Sequence, residues 1–110
     1  MPIRTVSSEN FERDVLQAEK PVLAEFWAPW CGYCRRLGPV IQALAEEAGE
    51  GLVVAQINVD ENDELETRFE VMTIPTLILF REGKAGQPLV NPASRAEIDE
   101  WLSAQGIEIR

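Results

Sequence analysis

The 110-residue chain contains no histidine and only two cysteines. Without histidine, it lacks the commonest zinc ligand and the usual general base for a cysteine nucleophile. Two cysteines cannot complete a four-thiolate zinc or iron–sulfur site unless two chains share it. We therefore expect no metal site and no cofactor, so that proton transfer must use carboxylates, thiols or water.

The chain is also poor in basic residues and in long apolar runs. Its 10 lysines and arginines are outnumbered by 19 aspartates and glutamates, which gives a formal net charge of −9. This balance argues against nucleic-acid binding and favours basic partners. No apolar run is long enough to span a bilayer, and the residues after Met1 lack the apolar core of a signal peptide. We expect no membrane partner and a cytoplasmic location.

The remaining composition is that of an ordinary soluble protein, with 45% hydrophobic and 26% charged residues. A chain of this size has room for one hydrophobic core. We expect residues 1–110 to form a single domain and the protein to be a monomer.

Apolar periodicity predicts that strands and helices alternate through residue 70. The predicted elements are a short strand at 3–6, a helix capped by Ser7 or Ser8 that ends near Ala18, a strand at 22–27, a helix from Cys31 or Gly32 to Ala48, a strand at 52–59 and a short helix at 64–70.

The C-terminal part predicts a hairpin and a final helix. Strands at 76–80 and 89–90 flank a turn at 82–84, and Pro88 confines the second strand to a sheet edge. Ser94 is expected to cap the last helix, which ends at Gly106. The whole pattern predicts an α/β fold, a mixed sheet of about five strands flanked by about four helices. Ligand chemistry is expected at the carboxyl ends of its parallel strands.

Both cysteines lie at such an end, in Trp30-Cys31-Gly32-Tyr33-Cys34. At the start of a helix, the helix dipole and free backbone N–H groups favour a thiolate at Cys31, which we expect to be the nucleophile. Cys34 follows one turn later and is expected to be the resolving thiol. A disulfide closing so short a loop would add only about 2 kcal/mol of stability. We interpret the pair as redox-active; a metal-binding or inert pair is the alternative.

The motifs around this pair resemble those of the thioredoxin family. They are Phe-Trp-Ala-Pro-Trp-Cys-Gly-Tyr-Cys at 26–34, Gly38-Pro39, and Thr-Ile-Pro-Thr at 73–76, and the resemblance extends from about Val6 to Leu102. It implies a thioredoxin fold and reduction of disulfide-containing proteins through a mixed disulfide. It also implies an electron donor similar to thioredoxin reductase, which restores the dithiol.

The resemblance assigns roles to residues outside the cysteines. Glu25 corresponds to the buried acid that manages the proton of the resolving thiol, and Gln56 stands where the family often has lysine. Burial should raise the pKa of Glu25 and make it an acid or base near neutral pH, although a water-satisfied carboxylate is the alternative.

Sequence alone gives Ile74–Pro75 about a 5% chance of being cis; the resemblance implies that it is cis and faces the cysteines. The implied substrate-contacting residues are Trp30, Gly32, Tyr33, Ile74 and Pro75.

The three tryptophans and Met72 also have expected positions. Trp30 and Met72 are expected in an apolar rim around Cys31, Trp27 beneath the site, and Trp101 in the core.

Two further features depart from the family pattern. Typical thioredoxins have Gly-Pro between the cysteines, whereas the Gly-Tyr pair has some likeness to disulfide isomerases and glutaredoxins. The N–H of Tyr33 should stabilise a thiolate, so we expect a reduction potential above that of typical thioredoxins. Asn91 and Pro92 replace a usual glycine, and we expect a bulkier, stiffer loop beside Cys31 that narrows the range of partners.

The leading interpretation is a protein-disulfide reductase. The Gly-Tyr pair leaves a disulfide isomerase or oxidase open within the same class. A non-enzymatic binding module, for example a dimer bridged by an iron–sulfur cluster, is the alternative from a different class.

Overall fold

Six strands form one mixed sheet in the computed structural model, which describes residues 2–109. The strands are β1 (Arg4–Thr5), β2 (Val22–Trp27), β3 (Val53–Asn58), β4 (Thr76–Arg81), β5 (Lys84–Ala85) and β6 (Leu89–Val90). The α-helices are α1 (Gly32–Ala48), α2 (Asp63–Arg68) and α3 (Arg95–Ser103). A π-helical turn at Glu12–Leu16 lies between β1 and β2, and a 3-10 turn at Val59–Glu61 lies between β3 and α2. Met1 and Arg110, the ends of the predicted domain, lie outside the described residues.

The strand order is β1-β3-β2-β4-β5, with β6 also paired to β4. β2 pairs in parallel with β3 and antiparallel with β4, so it lies inside the sheet. Its nearly continuous apolar run is buried because both faces of the sheet are covered. The predicted α/β architecture and the thioredoxin fold are confirmed.

Alternating side chains of β2 divide the core between the two faces of the sheet. Phe26 packs on one face with Phe11 and Phe80, whereas Leu23 packs on the other with residues of α1 and α3. The apolar stripe of α1 is buried against this second face, and the helix continues through Pro39. The short loop between β2 and α1 is thereby held at the carboxyl end of β2, where the cysteine motif lies.

The N-terminal helix differs from its prediction. Its helical part is only the π-helical turn, and its N-cap, Phe11, has no side-chain capping bond. Ser8 instead donates its N–H to Oδ1 of Asn62 at 2.8 Å, and Ser7 donates its N–H to Oδ1 of Asn10. The expected serine cap is wrong because both hydroxyls bond elsewhere: Oγ of Ser8 donates to Oδ1 of Asn62, and Oγ of Ser7 accepts the N–H of Glu9.

The C-terminal elements follow the prediction with one addition. The turn at Glu82 and Gly83, both with positive φ, returns the chain first into β5 and then into β6, and both strands pair with β4. Oγ of Ser94 accepts the N–H of Glu97, as expected of an N-cap. Within residues 2–109, none of the helices has the length and apolar character needed to cross a bilayer.

Candidate active site

Cys31 is the N-cap residue of α1, and its sulfur performs the capping. The backbone N–H of Cys34 donates to Cys31 Sγ at 3.2 Å. Both residues are free thiols, with 8% of Cys31 and 4% of Cys34 exposed. The positive end of a 17-residue helix and a directed N–H group stabilise negative charge on the Cys31 sulfur. The predicted proximity of the two cysteines is confirmed.

The second wall of the site comes from the segment that precedes β4. The Ile74–Pro75 bond is cis, as the resemblance implies. Cys31 Sγ lies 4.0 Å from the carbonyl oxygen of Ile74, although the two residues are 43 positions apart in the chain. The contact follows from the sheet order, because β2 and β4 are neighbours.

The thiol of Cys34 is held in its neutral form more strongly than an ordinary cysteine. Burial raises the pKa of Cys34 to about 12, and its interaction with Cys31 contributes to the rise. A backbone hydrogen bond from Ala28 opposes this rise, and the charge of Glu25 adds to it. Cys34 therefore needs a proton acceptor before it can attack another sulfur.

Glu25 is a carboxyl group inside the sheet, with 1% of its surface exposed. Burial raises the pKa of Glu25 from its ordinary value of 4.5 to about 7, and a hydrogen bond from Gln56 partly opposes the rise. Nε2 of Gln56 donates to Oε1 of Glu25 at 2.8 Å, because the two residues face each other in the register of β2 and β3. The predicted burial is confirmed. A pKa of about 7 suits a carboxyl group that accepts a proton near neutral pH.

The two side chains predicted to form an apolar rim are both exposed. Trp30 is 66% exposed and Met72 is 92% exposed, and their contact with a partner stays a prediction. The indole Nε1 of Trp30 donates to both carboxylate oxygens of Asp60, at 2.8 and 3.1 Å. Sequence reasoning missed Asp60, because no local pattern connects it to a tryptophan 30 positions earlier.

The other two tryptophans pack against the core. Trp27 is half-buried and packs against the core at the end of β2. Trp101 is also half-buried and donates its indole N–H to the carbonyl of Gln87 at 2.9 Å. Trp101 therefore packs against the core from its edge, whereas it was predicted inside the core.

Tyr33 connects the cysteine motif to the loop after β6. Its hydroxyl donates to the carbonyl oxygen of Pro92 at 2.6 Å, and the guanidinium of Arg36 lies over its ring, 5.1 Å from the centroid. Asn91 has a φ of 50°, in the left-handed region, and donates its N–H to the carbonyl of Pro75 at 2.9 Å. Asparagine tolerates this backbone better than most residues do, so it can stand where glycine is usual.

The first turn of α1 has little bulk next to Cys31. Gly32 begins the helix, and a Cβ placed there would lie 4.0 Å from Nη2 of Arg35. Nη1 of Arg35 donates to the carbonyl of Pro29 at 3.0 Å. The structure therefore places Ile74 against Cys31, and Tyr33 joins the cysteine motif to the loop after β6.

Comparison with known proteins agrees with this geometry. The family model described as Thioredoxin matches residues 2–104. A thioredoxin of Acidithiobacillus ferridurans is 41% identical over 100 residues, which cover 91% of this chain and 93% of the relative. A thioredoxin of Rhodospirillum rubrum is 37% identical over 102 residues, covering 93% and 98% of the two chains. A bifunctional thioredoxin reductase/thioredoxin of Mycobacterium leprae is 41% identical over 98 residues, covering 89% of this chain and 21% of that protein.

Proposed function

The chain belongs to the thioredoxin family and is a thiol–disulfide oxidoreductase, and we propose that it reduces protein disulfides through a mixed disulfide formed at Cys31 and resolved by Cys34. The observation that carries these roles is the asymmetry of the two sulfurs. Cys31 Sγ accepts an N–H bond at the helix start, whereas the thiol of Cys34 has a pKa raised to about 12. The Cys31 sulfur is therefore the nucleophile, and Cys34 is the resolving thiol that needs a base.

In the first step, the Cys31 thiolate attacks one sulfur of a partner disulfide. A bond forms between Cys31 and that sulfur, the partner S–S bond breaks, and the second partner sulfur leaves as a thiolate that takes up a proton. The backbone N–H of Cys34 stabilises the charge on Cys31 before the attack.

In the second step, Cys34 loses its proton and attacks Cys31 Sγ. The Cys31–Cys34 disulfide forms, the mixed disulfide breaks, and the remaining partner sulfur leaves as a thiolate. Glu25 is the acceptor for the Cys34 proton, directly or through a water molecule, because its pKa of about 7 leaves a large ionised fraction at neutral pH. Overall, two electrons pass from the two cysteines to the partner, whose two thiolates take up one proton that Cys34 released to Glu25 and one proton from water.

The segment around Ile74 supplies the docking surface in this proposal. An extended partner segment beside Ile74 would place its disulfide over Cys31, because the Ile74 carbonyl lies 4.0 Å from Cys31 Sγ. Trp30 and Met72 provide exposed apolar contacts at the rim. Gly32 leaves room for the partner next to the attacking sulfur.

The oxidised pair must be reduced again, and we propose a donor similar to thioredoxin reductase. The relative from Mycobacterium leprae, a bifunctional thioredoxin reductase/thioredoxin, supports this choice. We also propose work in a reducing compartment such as the cytoplasm, where such a donor maintains dithiols.

Mixed-disulfide trapping tests the assignment of roles. Cys34→Ala should accumulate covalent adducts with disulfide-containing proteins in native extract, and these adducts should disappear on treatment with dithiothreitol. Cys31→Ala is the matched control and should form few adducts, because Cys34 is more buried and is not deprotonated without help. Equal trapping by the two variants would contradict the assignment.

A further inference from the structure

The phenol of Tyr33 is fixed at its hydroxyl and at its ring. The hydroxyl donates to the carbonyl oxygen of Pro92 at 2.6 Å, and the Arg36 guanidinium covers the ring at 5.1 Å from the centroid. Arg36 lies one helical turn after Tyr33, so α1 itself supplies the cation. The side chain of Tyr33 therefore forms a strut between α1 and the loop that follows β6.

The loop that receives this strut is attached at a second point. The N–H of Asn91 donates to the carbonyl of Pro75 at 2.9 Å, which joins the loop to the segment beside Cys31. Asn91 and Pro92 are adjacent, so one bond holds the loop to the Ile74–Pro75 wall and the next holds it to the cysteine motif.

A shallow depression lies between these two attachments. Its lining residues are Tyr33, Ile74 and Asn91. Ile74 also contributes the carbonyl oxygen that lies 4.0 Å from Cys31 Sγ. The depression therefore adjoins the place where a partner disulfide must sit, and its width depends on where the loop is held.

We propose that Tyr33 is a positioning residue for docking: its hydroxyl bond to Pro92 fixes the loop so that the depression accepts a side chain next to the partner's cysteine. This inference rests on the proposed function. The occupant is an uncharged side chain, because the walls are a phenol ring, a branched aliphatic chain and a carboxamide. Arg36 on the Tyr33 ring repels a lysine or arginine there.

The energetic effect of the strut comes from preorganisation. A loop that is already held in place loses less conformational freedom when a partner segment docks. Removal of one neutral hydrogen bond weakens such a loop enough to change a binding constant by roughly three- to tenfold. The effect should be seen with a partner that has a peptide segment and be small with a disulfide that has none.

The test compares Tyr33→Phe, which removes only the hydroxyl, with Ser103→Ala, which removes a hydroxyl bond to Glu108 in the tail after α3. Reduction is measured with insulin and with the small disulfide 5,5′-dithiobis(2-nitrobenzoic acid). In Tyr33→Phe, the KM for insulin should rise roughly three- to tenfold with a smaller change in kcat. The loss of kcat/KM with insulin should exceed the loss with the small disulfide, and Ser103→Ala should change neither substrate.

Hydrogen exchange at the Asn91 amide provides a readout that is independent of activity. Because the Asn91 N–H donates to Pro75, loosening the loop in Tyr33→Phe should accelerate its exchange. Equal KM values for insulin, or an equal loss with both substrates, would overturn the inference while leaving the proposed function intact. Failure of the unmodified protein to reduce either substrate would overturn the proposed function itself.

Discussion

Nε2 of Gln56 donates a 2.8 Å hydrogen bond to Oε1 of Glu25 inside the sheet. The bond lowers the pKa of Glu25, whereas burial raises it more strongly, and the result is a pKa of about 7. A lysine at position 56 would place a positive charge against the same oxygen. The neutral amide therefore lets the carboxyl group gain and lose its proton near neutral pH.

Glu25→Gln should slow resolution of the mixed disulfide by roughly tenfold or more at pH 7, because it removes the proton acceptor and keeps the shape. In the unmodified protein, resolution should slow as the pH falls through about 7, where Glu25 becomes protonated. The variant should lack this step in its pH profile. Stopped-flow measurement of the resolution rate is the test, and an unchanged rate and profile would remove Glu25 from the mechanism.

Substitutions of Gln56 should move the pH profile in opposite directions. Gln56→Lys should lower the pKa of Glu25 toward its ordinary value. The pH at which resolution of the mixed disulfide slows should therefore become lower. Gln56→Met is the matched control; it removes the hydrogen bond that lowers the pKa and should move the step to higher pH. A shift of both variants in the same direction would contradict this account of the Glu25 environment.

The stability of the protein should also depend on the proton of Glu25. Its pKa is 4.5 unfolded and about 7 folded, so the folded state binds the proton more tightly. The resulting stability is fully present below about pH 4.5, is lost progressively as the pH rises toward 7, and is absent above it. The loss amounts to about 3 kcal/mol. Urea unfolding across this range should show the loss for the unmodified protein relative to Glu25→Gln, and parallel curves would exclude it.

Tyr33, one of the two residues between the cysteines, should set the reduction potential. We expect the Cys31–Cys34 couple to have a potential above the roughly −270 mV of a thioredoxin. Tyr33→Pro removes one N–H of the first turn of α1, whereas the Cys34 N–H that bonds Cys31 Sγ stays, and the loss should lower the potential. Equilibration with glutathione buffers measures it. Tyr33→Phe keeps the N–H and is the control, so a similar shift in both variants would assign the effect to the hydroxyl.

Local patterns were sufficient for the elements that position the cysteines. β2 is an apolar run closed by Pro29 and followed by a helical stripe, and β2 and α1 form where these patterns place them. Burial of Glu25 also followed from its place within that run. The cis bond at Ile74–Pro75 required the family resemblance, since the two residues alone favour trans.

Contacts between distant loops could not be predicted in this way. The bond from Tyr33 to Pro92 joins residues 59 positions apart and ends on a backbone carbonyl, which leaves no trace in residue types. The bond from Trp30 to Asp60 depends on how far two loops extend past their strands. Ser8 satisfies the cap pattern, yet its bond to Asn62 depends on the fold as a whole.

Because Glu25 is buried within β2, engineering this protein for thermal stability would conflict with keeping its rate of turnover. A carboxyl group that is 1% exposed and ionises near pH 7 costs the folded state free energy in neutral solution. Screens for heat tolerance at or above neutral pH should therefore recover neutral replacements of Glu25. Such variants would survive heating better and process fewer disulfides per second, so thermal selection alone would remove the group that accepts the proton.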